Sequence, residues 1–191
     1  MVLPRDAGNI IWLNGAFGAG KSAVAAELLL RLPGSVLFDP EEVGYMLGKI
    51  VPQPRGGFGF QDLPPWRPLV AHTAIELLRY VRAPLVAPMT VLRRAYAQEI
   101  FGALAAHGVR VHHVVLHADE RELRRRIEAP QPGLGDAAVQ RRTREWRLRH
   151  LAAYRDALPW LATDALVVDT SAQAPAQVAQ CLLDRLGLGY R

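Results

Sequence analysis

Gly15, Gly20, Lys21 and Ser22 stand at the spacing G-x-x-x-x-G-K-[ST], in the stretch GAFGAGKS. Phosphate chemistry needs these residue types in this order. The glycines let the backbone curl so that successive N–H groups face one anion without Cβ collisions. Gly15, Ala16, Phe17, Gly18, Ala19 and Gly20 would cradle the phosphates, and Lys21 would bring a compact ammonium to the β- and γ-phosphates. The Ser22 hydroxyl suits a magnesium ion held with the nucleotide, so ATP and Mg²⁺ are the expected cofactors. Only Lys21 and Lys49 are lysines, while arginine supplies the other positive charges. The one lysine at the demanding position makes a chance match about one in a thousand.

Phosphoryl transfer also asks for an acid near the metal or the attacking hydroxyl. Asp39, in LFDPEE, is the best candidate, as base or metal-associated acid. The same residue suits a helix N-cap ahead of Pro40, Glu41 and Glu42, and the two roles can coexist. Asp169 is a weaker acid candidate. The segment APMT carries no carboxylate; its Thr90 could touch substrate or cap the next helix. Positive charge for the transferring group comes from nine arginines between Arg121 and Arg149. Arg126 on the first lid helix and Arg141, Arg142 and Arg144 on the second are all candidates, while Arg121, Arg147 and Arg149 read as solvated charge. His112, His113 and His117 lack metal-ligand spacing and read as packing residues.

These groups need elements to hold them. Short apolar runs at 9–14, 35–38, 84–88, 109–116 and 165–169 read as strands buried on both faces. Helical patterns cover 21–32, 40–49, 66–81, 93–107, 119–128, 137–157 and 175–186, with stops at Pro33-Gly34, Gly108 and Gly187. The alternation predicts an α/β fold, a doubly wound five-stranded parallel sheet of the P-loop, nucleotide/shikimate-kinase-like type, over one domain 1–191. The Pro/Gly-rich stretches 51–65 and 129–136 read as loops at the ligand edge. The helices flanking the second, within 119–150, predict a helical lid that closes over the nucleotide.

The chain of 191 residues, half apolar, suits one packed core. A net charge of +5 is concentrated in the arginine-rich region, which fits a small phosphorylated ligand better than a duplex, so no nucleic-acid partner is expected. A motor would need a hydrolytic acid after the third strand and a larger chain. No signal segment, integral membrane span or disulfide is legible, and Cys181 is the single cysteine. The expectation is a soluble cytoplasmic protein of undetermined oligomeric state.

The segments 10–22, 37–47 (LFDPEEVGYML), 51–53 (VPQ), 60–67 (FQDLPPWR), 87–92 (APMTVL) and 111–118 (VHHVVLHA) together resemble the tunicamycin-resistance proteins of the TmrB type, relatives of small P-loop phosphotransferases. That resemblance implies ATP binding, tunicamycin resistance and phosphorylation of a hydroxyl on the drug or a related nucleoside or sugar. It carries the catalytic acid onto Asp39 and the acceptor pocket onto Phe60, Gln61, Trp66 and Arg67. The aromatic and amide content of that pocket suits stacking on a uracil ring, and Trp66 equally suits anchoring its helix. In the lid, Arg126 and Arg144 match family arginines and Pro130 replaces another. The sequence given ends at Arg191, without the long basic amphipathic tail of other members, which leaves peripheral membrane association undetermined. A different class stays open beside the enzyme: an ATP-dependent protein that sequesters the drug without chemistry.

Overall fold

The computed structural model describes residues 8–52, 59–130 and 135–188. Five parallel strands form one sheet in the order β2-β3-β1-β4-β5: β1 Asn9–Asn14, β2 Val36–Leu37, β3 Leu85–Pro88, β4 Arg110–His117 and β5 Leu166–Asp169. β1 is central and wholly buried, pairing Ile10 to Leu13 with Leu85 to Pro88 and Asn9 to Asn14 with Arg110 to Val115. Its side chains alternate between two cores, as the strand period of two requires. Ile11 and Leu13 join Val24, Leu28, Leu182 and Leu183 of α1 (Lys21–Arg31) and α7 (Pro175–Leu186). Ile10 and Trp12 face the opposite layer, with Trp66, Ile75 and Leu78 of α3 (Trp66–Val81) and Ile100 of α4 (Arg94–Ala106). Helices on both faces of a parallel sheet bring every strand's C-terminus to one edge.

The remaining elements crowd that edge. They are α2 (Pro40–Ile50), a 3₁₀ turn at Phe60–Asp62, α5 (Glu120–Glu128) and α6 (Ala137–Asp164). Helix α6 runs seven residues past the pattern read from sequence, and through Pro159. A proline in a helix interior costs about 3 kcal/mol. Tertiary contacts beyond it offset the penalty: Leu161 is fully buried, Trp160 Nε1 donates to Leu92 O at 3.1 Å, and Arg94 grips Asp164 with two bonds of 2.8 and 3.0 Å. Strand β2, at the rim beside β3, has only two paired residues and is shorter than the run 35–38 read from sequence. The loop readings at 51–65 and 129–136 fall partly on 53–58 and 131–134, including Gln53, which lie outside the described residues. Among the described residues no helix is long and apolar enough to cross a membrane.

Candidate nucleotide and phosphoryl site

The phosphate loop leaves β1 through Gly15, whose φ of +132° is open to glycine alone, and a Cβ there would run into the carbonyl oxygen of Leu116. Gly18 and Gly20 also take positive φ, and Gly20 opens α1 without any side-chain cap. The contrast with other helices is informative. Asp39, Asp119 and Asp136 cap α2, α5 and α6 by accepting their first backbone N–H groups. The N–H groups opening α1 lack an intrahelical partner by construction, and this end faces an open cleft with no side chain capping it. It is built for an outside anion.

That cleft, of about 430 Å³, is lined by Phe17, Gly18, Gly20, Lys21, Ser22, Asp39, Glu41, Pro88, Thr90, Arg126 and Arg147, among others. Lys21 is turned inward, its Nζ donating to Gly15 O at 3.0 Å and Ala16 O at 2.8 Å. Burial lowers its pKa from 10.5 to about 7; the Glu41 carboxylate opposes that shift and the Arg147 guanidinium adds to it. Glu41 is pushed upward, first by burial and then by the Asp39 charge. Each of the two would be drawn back by the other, and for both burial outweighs the attraction. Asp39 Oδ1 accepts from Glu41 N–H at 2.9 Å, and among the described residues its other oxygen makes no hydrogen bond. The N-cap and a cleft-facing carboxylate are thus one residue.

The sequence matches the family described as AAA domain over residues 10–153. The chain belongs to the AAA domain family. It is also a relative of the tunicamycin resistance protein of Deinococcus radiodurans, with 30% identity, 94% of this chain and 96% of that one covered, and a TM-score of 0.67. The TmrB-type resemblance carried by segments such as 10–22 and 37–47 therefore holds. An APS kinase of Mycobacterium tuberculosis, solved in complex with AMPPNP and APS, shares the fold at 17% identity, 95% and 99% coverage, and a TM-score of 0.64. So does a gluconokinase of Sinorhizobium meliloti, at 20% identity, 95% coverage of each chain and a TM-score of 0.59. Among curated proteins no match was found. The fold is a P-loop kinase type of this AAA domain family, five parallel strands with helices on both faces.

Besides Lys21, two arginines line this AAA domain's cleft. Arg126 on α5 is clamped in place: Nε meets Glu122 Oε1 at 2.6 Å, Nη2 donates to Thr170 O at 2.6 Å and Nη1 to Gly18 O at 3.3 Å. It bridges the phosphate loop to the turn after β5. The second is Arg147 on α6, read from sequence as solvated, while Arg144 on the same helix is not among the cleft's lining residues. Three residues apart, Arg144 and Arg147 are neighbours on one helix face, so only the seating of α6 on the phosphate loop separates them. What sets that seating is an aromatic contact, Trp146 against Phe17 of the loop with ring centroids 4.7 Å apart and His150 4.2 Å from Trp146. No sequence spacing between 17 and 146 announces it.

The four acceptor candidates lie together near Thr90, but their polar groups serve the scaffold. Trp66 is 0% exposed and its Nε1 donates to Pro40 O at 3.2 Å, so it anchors α3 to α2 and offers no face to a ligand. Phe60 packs on Trp66 at 5.4 Å and over Gly44, where a Cβ would come within 2.5 Å of its ring. Gln61 Nε2 donates to Thr90 O at 2.7 Å. Arg67 donates to Gln61 O at 2.6 Å, pairs with Glu99 at 2.5 Å and stacks 4.3 Å over Tyr96. Thr90 lines the cleft and donates through Oγ1 to Gly15 O at 2.8 Å. Two residues missed at the sequence level line the cleft: Glu41 and Arg147. Glu41 left no spacing signal, since two residues from Asp39 is not a helical turn, and two acids after a proline read first as helix-start chemistry.

Proposed function

We propose that the protein is an ATP-dependent phosphotransferase that moves a phosphoryl group to a hydroxyl of tunicamycin or a related nucleoside or sugar acceptor. The observation that carries this reading is the convergence of Lys21, Ser22, Asp39, Arg126 and Arg147 on one cleft at the C-terminal edge of the sheet. The drug enters through the relative from Deinococcus radiodurans, named a tunicamycin resistance protein.

The residues fit the donor and its metal. The positive-φ glycines and the uncapped α1 N-terminus suit a polyphosphate. The Ser22 hydroxyl and the Asp39 carboxylate are hard oxygen donors of the kind magnesium takes, and they would hold it. When bound, that ion supplies charge neutralisation at the phosphate oxygens. Lys21 exchanges the carbonyls of Gly15 and Ala16 for phosphate oxygens. Arg147 and Arg126 set guanidinium groups against the transferring group's charge, a task for which the planar fork is suited. Asp39, fixed by the Glu41 N–H, takes the proton of the acceptor hydroxyl on its other oxygen. Residues 119–150 serve as the lid that excludes water, and the chain 1–191 acts as one cytoplasmic catalytic unit.

One observation favours a second reading, drug binding without transfer. β3 runs into Pro88, Met89 and Thr90, so that strand supplies no acid. Mass spectrometry of tunicamycin incubated with protein, Mg²⁺ and ATP separates the two. The expected outcome is a drug heavier by one phosphoryl group, with ADP formed in equal amount. A stable complex whose drug keeps its mass at long times would refute transfer.

A further inference from the structure

At the root of the phosphate loop lies a carboxamide that uses all its hydrogen-bonding capacity. Asn14 is 0% exposed. Its Oδ1 accepts from the backbone N–H groups of Gly15 at 2.8 Å and Val91 at 2.9 Å. Its Nδ2 donates to Val91 O at 2.8 Å and lies 3.2 Å from His113 Nε2. Two N–H donors and two oxygen lone pairs are all that a carboxamide has.

The orientation of both side chains follows. Backbone N–H groups only donate, so the atom facing Gly15 and Val91 is the oxygen. Nitrogen then faces Val91 O and His113, and His113 Nε2 accepts. The imidazole proton sits on Nδ1, 3.3 Å from the carbonyl of Asp164. A neutral ring suits this place, because burial among Phe101 and Trp160 holds the His113 pKa down at about 4. An aspartate at position 14 would set its second oxygen against Val91 O and the Nε2 lone pair.

These bonds join the two walls of the cleft. Gly15 is held at its N–H by Asn14 and at its carbonyl by Thr90 Oγ1. Val91 is held at both polar groups by Asn14, and the Thr90 carbonyl takes Gln61. One amide therefore ties the phosphate loop to the turn after β3, and through it to the 3₁₀ turn.

We propose that Asn14, held by the Gly15 and Val91 backbone and completed by an Nδ1-protonated His113, is a positioning residue that sets the spacing between the phosphate loop and the Thr90 turn. The meaning of that spacing rests on the phosphotransferase reading, in which the donor lies against one wall and the acceptor against the other. Neither residue lines the cleft.

Two substitutions at 113 separate orientation from packing. In His113→Gln the longer amide reaches the Nε2 position and presents Oε1 to Asn14. In His113→Asn the shorter amide reaches only the Nδ1 position, keeping the Asp164 bond and leaving Asn14 Nδ2 without its acceptor. Both lose the ring's packing. The full-length protein is titrated with a fluorescent ATP analogue, without acceptor. His113→Asn is expected to weaken binding about tenfold, while His113→Gln stays within about twofold of wild type. The ¹⁵N spectrum of the wild-type imidazole is expected to report the Nδ1–H tautomer. Equal weakening by both variants, or an Nε2–H tautomer, overturns the proposal. Failure of transfer to every acceptor would instead sink the phosphotransferase reading, because these readouts need no acceptor and no turnover.

Discussion

Lys21 must be charged to hold a phosphate, yet its Nζ lies against two backbone carbonyls with its pKa lowered to about 7, chiefly by burial. At pH 8 such a group is about nine-tenths neutral. A polyphosphate arriving beside it restores the charged form, since an adjacent opposite charge raises the pKa of an amine. Nucleotide binding should therefore take up about 0.9 proton at pH 8 and about 0.1 at pH 6. By the same linkage affinity falls with rising pH, about 50-fold between pH 7 and pH 9. The sign for stability without ligand is the opposite. The folded pKa lies below the unfolded value of 10.5, so the unfolded chain holds more protons between pH 7 and 10.5, and the folded state gains stability as pH rises through that window. Isothermal calorimetry in Tris and in HEPES, buffers of different ionisation enthalpy, counts the protons directly. Lys21→Met removes the titrating group and should give equal heats in both buffers. Equal heats for the wild type at pH 8 would refute the reasoning, and with it the inward, desolvated ammonium.

Asp39→Asn separates capping from chemistry, because asparagine caps a helix as well as aspartate does. The Glu41 N–H keeps its acceptor, so the melting temperature and nucleotide affinity should hold while transfer falls about 10²- to 10⁴-fold in single-turnover assays. Unchanged transfer would remove Asp39 from the chemistry. Trp66→Ala should cost about 3–5 kcal/mol in urea denaturation, as expected for a fully buried indole. Its acceptor KM, measured on the folded fraction, should move little; a large selective rise in KM at intact stability would return Trp66 to the acceptor pocket.

The parts of this site that were legible in the sequence are those whose geometry is local. Gly15 to Ser22 dictate a backbone path by themselves, and Asp39 reads as a cap because the groups it serves are two residues away. The α/β order was legible for a related reason: strand and helix periods are short, and apart from the longer α6 and the shorter β2 the observed bounds follow the predicted segments closely. What stayed hidden depends on contacts between distant segments. Arg147 rather than Arg144 lines the cleft because Trp146 meets Phe17 across 129 residues of chain, and no pattern within α6 encodes that register. The segment FQDLPPWR has the composition of a ring-binding pocket, but aromatics and amides serve packing equally well, and only the distances to Pro40 O, Thr90 O and Glu99 distinguish the two uses.

Asn14 is the sharpest case. It ends a strand whose other members are nearly all apolar, and as a single letter it announces only a turn. Its partners lie 77 and 99 residues away, and its value is that a carboxamide alone offers two donors and two acceptors on one rigid plane. Phosphate loops need the glycines to bend, but glycines specify no position for the bent loop relative to its surroundings. That information has to come from a side chain at the loop's root. In this fold the root is the C-terminal end of the central strand, where β3 and β4 flank it on either side, so one residue can bond across both neighbours at once. Flexible in sequence and rigid in place, the loop depends on Asn14 for the second property.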